Sequence, residues 1–389
     1  MPFAPLGVTL AMQALATMAL YSVPTVAPAM ARDLDVPGEL SGTFIACAYG
    51  FGIFSALASP GFVHRFGAVR AVQLVMACTA AMLLASAIGS IFSLFMATML
   101  LGVGYGAAAP ASTHLLAPRT PRLVFNMVMS LRQIGVPLGG VLAALILPPV
   151  VVRFGWQAAL LAEVPLLLAM ILFCEIPRRR WDDGPPSSRP ILGRELLVPF
   201  QLLRQDRRIL TLSVASFLFS GMSLCFVAFT TMQLTTRAGF DLVDAGRMLA
   251  VYQISGTISR PIWGWMADRF LTPSHTLAVH GFGMAAAALL AGQIDTGWSG
   301  GAVFALAIFA GITAGGYTGV AYAEFVNLGG TRRTEATGLG TAMMFSGVLI
   351  MPPIFGVLVT LTDGYAISFA MMALLSAVGA TLLCRRPSV

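Results

Sequence analysis

Long apolar runs alternate with short polar breaks along nearly the whole chain. A helix that crosses a bilayer needs roughly 20 apolar residues. On that measure the pattern predicts spans near 6–30, 41–63, 69–90, 92–117, 123–149, 156–176, 209–233, 245–267, 275–293, 301–325, 334–361 and 364–384. Most breaks are tight, as at "APRTPR" (117–122). The exception is 177–208, which opens on a basic run, passes through Gly, Pro and Ser, and carries helical apolar spacing at Leu196, Leu197, Phe200 and Leu203. It reads as a cytoplasmic linker with an interfacial helix, joining a bundle of six spans over 1–176 to another over 209–389.

Composition fixes the solvent in which this pattern folds. With 57% hydrophobic and 10% charged residues and a mean hydropathy of +0.84 over 389 residues, a water-soluble domain is excluded; its surface would need about a quarter of its residues charged. All 23 basic residues are arginine. With the N-terminus cytoplasmic, only Arg32, Arg153, Arg237 and Arg247 fall in outer loops, and only Arg132 and Arg260 fall within spans. That bias obeys the positive-inside rule and sets both termini in the cytoplasm of an inner (plasma) membrane protein. It also accounts for the net charge of +7 without nucleic acid. Cys47, Cys78, Cys174, Cys225 and Cys384 lie in or at the ends of spans with no CxxC spacing and no histidine cluster, so neither disulfide, metal nor cofactor is expected. "VAPAMA" ends the first run, which is far longer than a signal h-region and reads as a retained span.

The two halves resemble one another. "PGFVHRFGAVR" (60–70) follows the second span and "GWMADRF" (264–270) the eighth; "GVGYGAAAP" (102–110) lies in the fourth and "GITAGGYTG" (311–319) in the tenth. Small residues so spaced let backbones approach where lipid supplies no hydrophobic drive. Such duplication is a common plan of secondary transporters.

With its six-plus-six plan, long central loop and a loop signature GxxxDRxGRR seen as Gly264-x-x-x-Asp268-Arg269, the chain resembles the major facilitator superfamily over essentially its whole length. The copy after the second span has Pro60 at the Gly position and His64 at the Asp position, while Arg65-Phe66-Gly67 still fits, and the arginine usual in span 4 of proton-coupled members is Thr98. The resemblance implies an all-α membrane carrier of two six-helix bundles. It also implies gating through Asp268, Arg269, His64 and Arg65.

Candidate chemistry begins with the two intramembrane arginines. Arg132 lies ten residues beyond Arg122, about 15 Å into the bilayer, and Arg260 lies eight residues before Asp268, about 12 Å in. A lipid-facing charge at such depth costs at least ~2.5–3.5 kcal/mol, so neither should face lipid. Setting His64 opposite Asp268 puts Arg260 opposite Ala56 and Gln253 opposite Tyr49; setting "SLRQIG" (130–135) opposite "AMMFSG" (342–347) puts Arg132 opposite Met344. The architecture tolerates apolar residues at these sites, which favours chemistry over scaffold.

In the resembled fold these arginines face one cavity, where two guanidiniums make a site for a small carboxylate. Resemblance is nearest to monocarboxylate, oxalate/formate-type and nitrate carriers, with Arg260-Pro261-x-x-Gly264 similar to the monocarboxylate pattern and Gly256 standing where an aspartate is frequent. Gln253, Tyr21, Tyr49, Tyr105 and Tyr317 are candidate cavity donors, each with helix packing as the competing account. Glu163 and Glu324 are the candidates for proton coupling, and His114 reads as interfacial. The structural alternative pairs Arg132 with Glu163 and uses Arg260 with Glu324 as a gate.

The functional expectation is a monomeric, non-enzymatic carrier of a mono- or dicarboxylate, surrounded by lipid. A proton-coupled multidrug or metabolite efflux antiporter is the alternative. "GVPLGG" (135–140) resembles the Gly-Pro-rich antiporter signature, but Pro137 is one position late, Leu131 takes the leading Gly site, and spans 1 and 4 hold no cavity acid for a cationic drug. No HExxH, GxGD or Ser/Lys constellation supports an intramembrane enzyme.

Overall fold

The computed structural model describes residues 2–34, 40–182, 196 and 198–385, and over them the chain is helical, with no strand among the described residues. The helices are α1 (Phe3–Leu34), α2 (Leu40–Phe66), α3 (Ala68–Ala87), α4 (Ile91–Leu116), α5 (Phe125–Arg132), α6 (Gly135–Leu161), α7 (Val164–Trp181), α8 (Val198–Gln205), α9 (Arg207–Thr236), α10 (Leu242–Arg269), α11 (Pro273–Ala291), α12 (Gly300–Ala314), α13 (Thr318–Gly329), α14 (Arg333–Thr362) and α15 (Ala366–Cys384). Among the described residues, nine helical stretches are long and apolar enough to cross a membrane. Two of them, Arg122–Trp181 and Gly300–Thr362, run 60 and 63 residues, enough for two crossings each. α10 falls outside that set because Gln253, Arg260 and its many Ser, Thr and Gly residues lower its mean hydropathy. The twelve-span reading is preserved once α10 is added. α8 is the part of the linker helix within the described residues; Leu197 and 183–195 lie outside them.

Three spans break, α8 belongs to the linker, and α6 runs from the fifth span into the sixth across a kink at Gly155, whose φ is 84°. The fifth breaks at Gln133 and Ile134, between α5 and α6; the sixth at Ala162 and Glu163, before α7; the tenth at Gly315 to Tyr317, between α12 and α13. The first two breaks have a proline cause. Pro137 has no N–H for the Gln133 carbonyl and Pro165 none for that of Leu161. The Gln133 carbonyl is taken instead by Val136 N at 3.2 Å. The third break falls on a Gly-Gly pair, Gly315-Gly316.

By contacts the chain divides into two units: Met1–Thr120, Arg132–Gln201 and Gly329–Ala342 form one, and Pro121–Leu131, Leu202–Leu328 and Met343–Val389 the other. In the first, α2 packs on α4, α1 on α6, and α3 on α4 and α7. Its apolar core gathers Met12, Met18, Leu20, Met76, Met82, Leu83, Leu101 and Trp156. α4 meets α2 at backbone distance: a Cβ on Gly106 would stand 2.2 Å from the Gly52 carbonyl oxygen, and one on Gly102 2.6 Å from that of Ala48. In the second unit α10 packs on α12, and α11 on α15 and α12. A Cβ on Gly311 would stand 2.3 Å from the Tyr252 carbonyl oxygen. The small-residue motifs of spans 4 and 10 are therefore close-contact seams.

Helix starts follow side-chain capping. Ser90 and Ser93 exchange backbone and hydroxyl bonds at 3.1 Å, and Asp241 accepts Asp244 N at 2.6 Å. The start of α3 is capped from far along the chain: Asp182 accepts Val69 N at 2.9 Å and Arg70 N at 3.3 Å. Burial pushes the Asp182 carboxyl above its usual range, against the pull of those amides. The cap needs Gly67, whose φ of 93° and ψ of 162° belong to glycine alone and whose Cβ would fall 2.3 Å from Asp182 Cγ. Gly67→Ala is expected to cost at least about 1–3 kcal/mol of stability, read as a fall in the thermal unfolding midpoint of the purified protein. An unchanged midpoint would refute this account of the α3 cap.

Candidate functional site

Two of the backbone breaks lie at a buried ionisable residue, Arg132 and Glu163, and buried Arg260 bonds into the third. Arg132 is the last residue of α5 and is 0% exposed. Its Nη1 donates to Ser112 Oγ at 2.7 Å and Gln13 Oε1 at 3.4 Å, and its Nη2 to Gln133 Oε1 at 2.6 Å. From Gln13 the bonds continue, Nε2 to Thr17 Oγ1 at 3.3 Å and Thr17 to the Tyr105 hydroxyl at 3.4 Å. Tyr49 sets its ring edge-on to Tyr105 at 6.3 Å. The first unit thus holds a buried polar string of neutral hydroxyls and amides with one guanidinium at its end. Tyr21 is on α1 too, but its ring lies beside Gly140 and is 36% exposed.

In the second unit Arg260 is buried, and its Nε donates to the Gly315 carbonyl at 3.0 Å. Trp263 Nε1 donates to Ile312 O at 3.0 Å, and His280 Nδ1, as the N–H tautomer, donates to Thr313 O at 2.6 Å. These three side chains hold carbonyls that the end of α12 leaves without helical partners, with Arg260 the cation at a helix C-terminus. Tyr317, in the break, is buried with its ring 5.8 Å from Phe219. Gln253 is exposed, two turns before Arg260 on α10. Gly256 has a steric reason: a Cβ there would lie 3.0 Å from Gly311 O and 3.1 Å from Gly315 Cα. An aspartate at 256 would push α10 off α12.

The loop signatures form two different contacts. Asp268 Oδ1 accepts Asn126 N at 2.9 Å and Asn126 Nδ2 at 2.8 Å, while Oδ2 accepts Met127 N at 3.0 Å, so Asp268 caps α5. In the first unit His64 Nε2 lies 3.4 Å from Glu335 Oε1 in the first turn of α14, an ion pair whenever the imidazole is protonated. His114 joins it, 5.4 Å away ring to ring, with Nδ1 2.8 Å from Thr334 Oγ1. Arg65 and Arg269 are exposed. Glu324 is buried and accepts from Ser274 Oγ at 2.9 Å; Glu163 is buried against Ser22 of α1.

Sequence reasoning found both arginines but missed their partners. Gln133 adjoins Arg132 and Gln13 is a lone amide in an apolar span, so both carried a signal. Ser112, Glu335 and His280 carried none, being ordinary residues until the fold brings them to Arg132, His64 and Thr313.

The sequence model of the Major Facilitator Superfamily matches residues 9–328. The 4-hydroxybenzoate transporter PcaK of Pseudomonas aeruginosa is 28% identical over 279 residues, 63% of this chain and 61% of that one. The 3-(3-hydroxy-phenyl)propionate transporter of Escherichia coli is 27% identical over 318 residues, 79% of this chain and 75% of that one. The chain spans 61% to 65% of the length of the 4-hydroxybenzoate transporters it matches. Among solved structures, the Escherichia coli fucose:proton symporter FucP superposes with a TM-score of 0.75 at 15% identity, covering 100% of this chain and 99% of that one.

Proposed function

The chain belongs to the major facilitator superfamily, and from that premise we propose that it carries a small organic anion, a mono- or dicarboxylate, across the cytoplasmic membrane by alternating access. Bundles 1–176 and 209–389 rock about the 177–208 linker, with both termini cytoplasmic. The observation that carries the reading is Arg132: a fully buried guanidinium at a backbone break, held by the neutral side chains of Gln13, Ser112 and Gln133. Intramembrane charge is expensive and marks substrate paths. A guanidinium already oriented by neutral partners loses little freedom on taking a carboxylate in bidentate fashion. Tyr105, Thr17 and Tyr49 supply further polar and aromatic surface along the same string. In the second unit Arg260, whose Nε donates to the Gly315 carbonyl at the break in span 10, is the guanidinium that an anion could engage there. The relatives named for hydroxylated aromatic acids put that chemistry first among the carboxylates to try.

The test is a thermal-shift panel on detergent-purified protein with 4-hydroxybenzoate, acetate, succinate, nitrate and a lipophilic cation, on wild type and Arg260→Gln. A carboxylate that binds the folded state should raise the midpoint, by about 2.7 kcal/mol of stabilisation at a hundredfold excess over its dissociation constant. The shift should shrink or vanish in Arg260→Gln. Stabilisation by the cation alone would replace the anion reading with cationic efflux.

A further inference from the structure

Glu163 is a buried acid that the anion site does not use. It is 4% exposed, at the break before α7, and hydrogen-bonds the hydroxyl of Ser22, which is 0% exposed on α1. Ser22 Oγ also bonds the Met18 carbonyl at 2.8 Å. Proton counting accommodates a neutral acid. Ser22 has one hydrogen, and both neighbours would be acceptors if Glu163 were ionised. With a proton on Glu163, its O–H donates to Ser22 Oγ, Ser22 donates to Met18 O, and every group is satisfied. No ion pair forms on Glu163 among the described residues. The other ionisable groups of the packed helices bond elsewhere, are exposed or are thiols: Asp33 of α1 accepts Trp156 Nε1 at 2.8 Å, Arg70 of α3 and Glu175 of α7 pair at 3.2 Å, and Tyr21 and Arg32 of α1, Arg153 of α6 and Arg179 and Arg180 of α7 are exposed. Cys78 of α3 and Cys174 of α7 are free thiols. Arg178 of α7 bonds Glu175 at 2.7 Å. A carboxylate at 163 would be a buried, uncompensated charge.

We propose that Glu163 is the proton-carrying group of transport, neutral in the conformation seen here, so that one proton moves with one carboxylate anion. The inference rests on the anion-transport reading above. The proton binds Glu163 from one aqueous side and leaves to the other; the carboxylate left behind is tolerated only once water reaches it. Protonation therefore favours the present conformation, and release favours the one in which the 163 site is wet. Glu163 sits where Pro165 has already loosened the backbone, with Glu163 N reaching Leu160 O at only 3.4 Å. A local change there needs little helix breaking.

Glu163→Gln is the isostere of the protonated acid, since its amide can donate to Ser22 as the O–H does. In full-length protein reconstituted in lipid vesicles, infrared spectra of wild type should show a protonated-carboxyl C=O band that Glu163→Gln removes and Glu175→Gln keeps. With 4-hydroxybenzoate as probe and protein-free vesicles subtracted, an inward gradient of one pH unit should drive about tenfold accumulation at one proton per anion. In Glu163→Gln that accumulation should disappear while counterflow, which moves no net proton, persists. A spectrum unchanged by Glu163→Gln overturns the neutral acid, and undiminished gradient-driven accumulation overturns its coupling role. Wild type that shows no counterflow removes the anion reading and the coupling with it, while the infrared arm still decides whether Glu163 holds a proton.

Discussion

Arg132→Gln is expected to weaken carboxylate binding by roughly 30-fold to several thousand-fold, the equivalent of about 2–5 kcal/mol for truncating one side of a buried, hydrogen-bonded charge pair. Glutamine is shorter and neutral, so it supplies neither the charge nor the two parallel donors. Arg132→Lys should fall well short of rescue, because an ammonium cannot reproduce the planar fork that reaches Ser112 at 2.7 Å and Gln133 at 2.6 Å and that a carboxylate matches in bidentate fashion. Calorimetric titration with 4-hydroxybenzoate measures the loss. Some loss of stability should accompany it, since Gln13, Ser112 and Gln133 each lose a donor in a buried site, at about 1–3 kcal/mol per unsatisfied group. The two effects separate in a double variant, Gln13→Leu with Arg132→Gln, which removes one orphaned acceptor. Stability should partly return and binding should not. Wild-type affinity in Arg132→Gln would make the arginine a packing device and end the anion reading.

The spans and the burial of both arginines were legible because hydropathy and the cost of intramembrane charge can be read along one dimension. The arrangement around each charge was not, because it joins helices far apart in the chain. The loop after the second span shows why. Read alone, His64 is a degraded copy of an acidic signature; in the fold the acid stands across the contact as Glu335, so the charges have exchanged sides. Gly256 is a second case. It looks like a missing aspartate in sequence, and it is a glycine because α10 and α12 touch there through their backbones. The breaks at 133–134 and 162–163 were in principle readable, since Pro137 and Pro165 each remove one helical donor. The apolar runs through them are unbroken, and a count of apolar length passes over the kink.

Asp268→Asn is expected to free the N-terminus of α5, with amide exchange over 121–131 rising roughly 30- to 150-fold. The reasoning starts from helix ends, whose first four N–H groups have no intrahelical partner. In α5, Asn126 N and Met127 N find theirs in the two Asp268 oxygens, at 2.9 and 3.0 Å. Bonds to a charged acceptor are worth about 1.5–3 kcal/mol each. Asparagine keeps one acceptor and turns an NH2 group toward the other amide, so a net loss of about 2–3 kcal/mol follows, and each 1.4 kcal/mol is tenfold in the open fraction. Gly264→Ala attacks the same contact sterically. Its Cβ would lie 2.7 Å from Asn126 O and from Met127 Cα, backbone atoms that cannot swing aside, so α5 must lift from α10 and leave the reach of Asp268. Two substitutions of unrelated chemistry should therefore raise exchange in one segment, while Asp244→Asn, whose carboxylate pairs with exposed Arg247, should leave it alone. Hydrogen exchange read by mass spectrometry on the 121–131 peptide decides it. If only Gly264→Ala acts, the contact is held by backbone packing and Asp268 is a bystander to it. If both act, the Asp268 cap and the Gly264 backbone contact hold this helix end together.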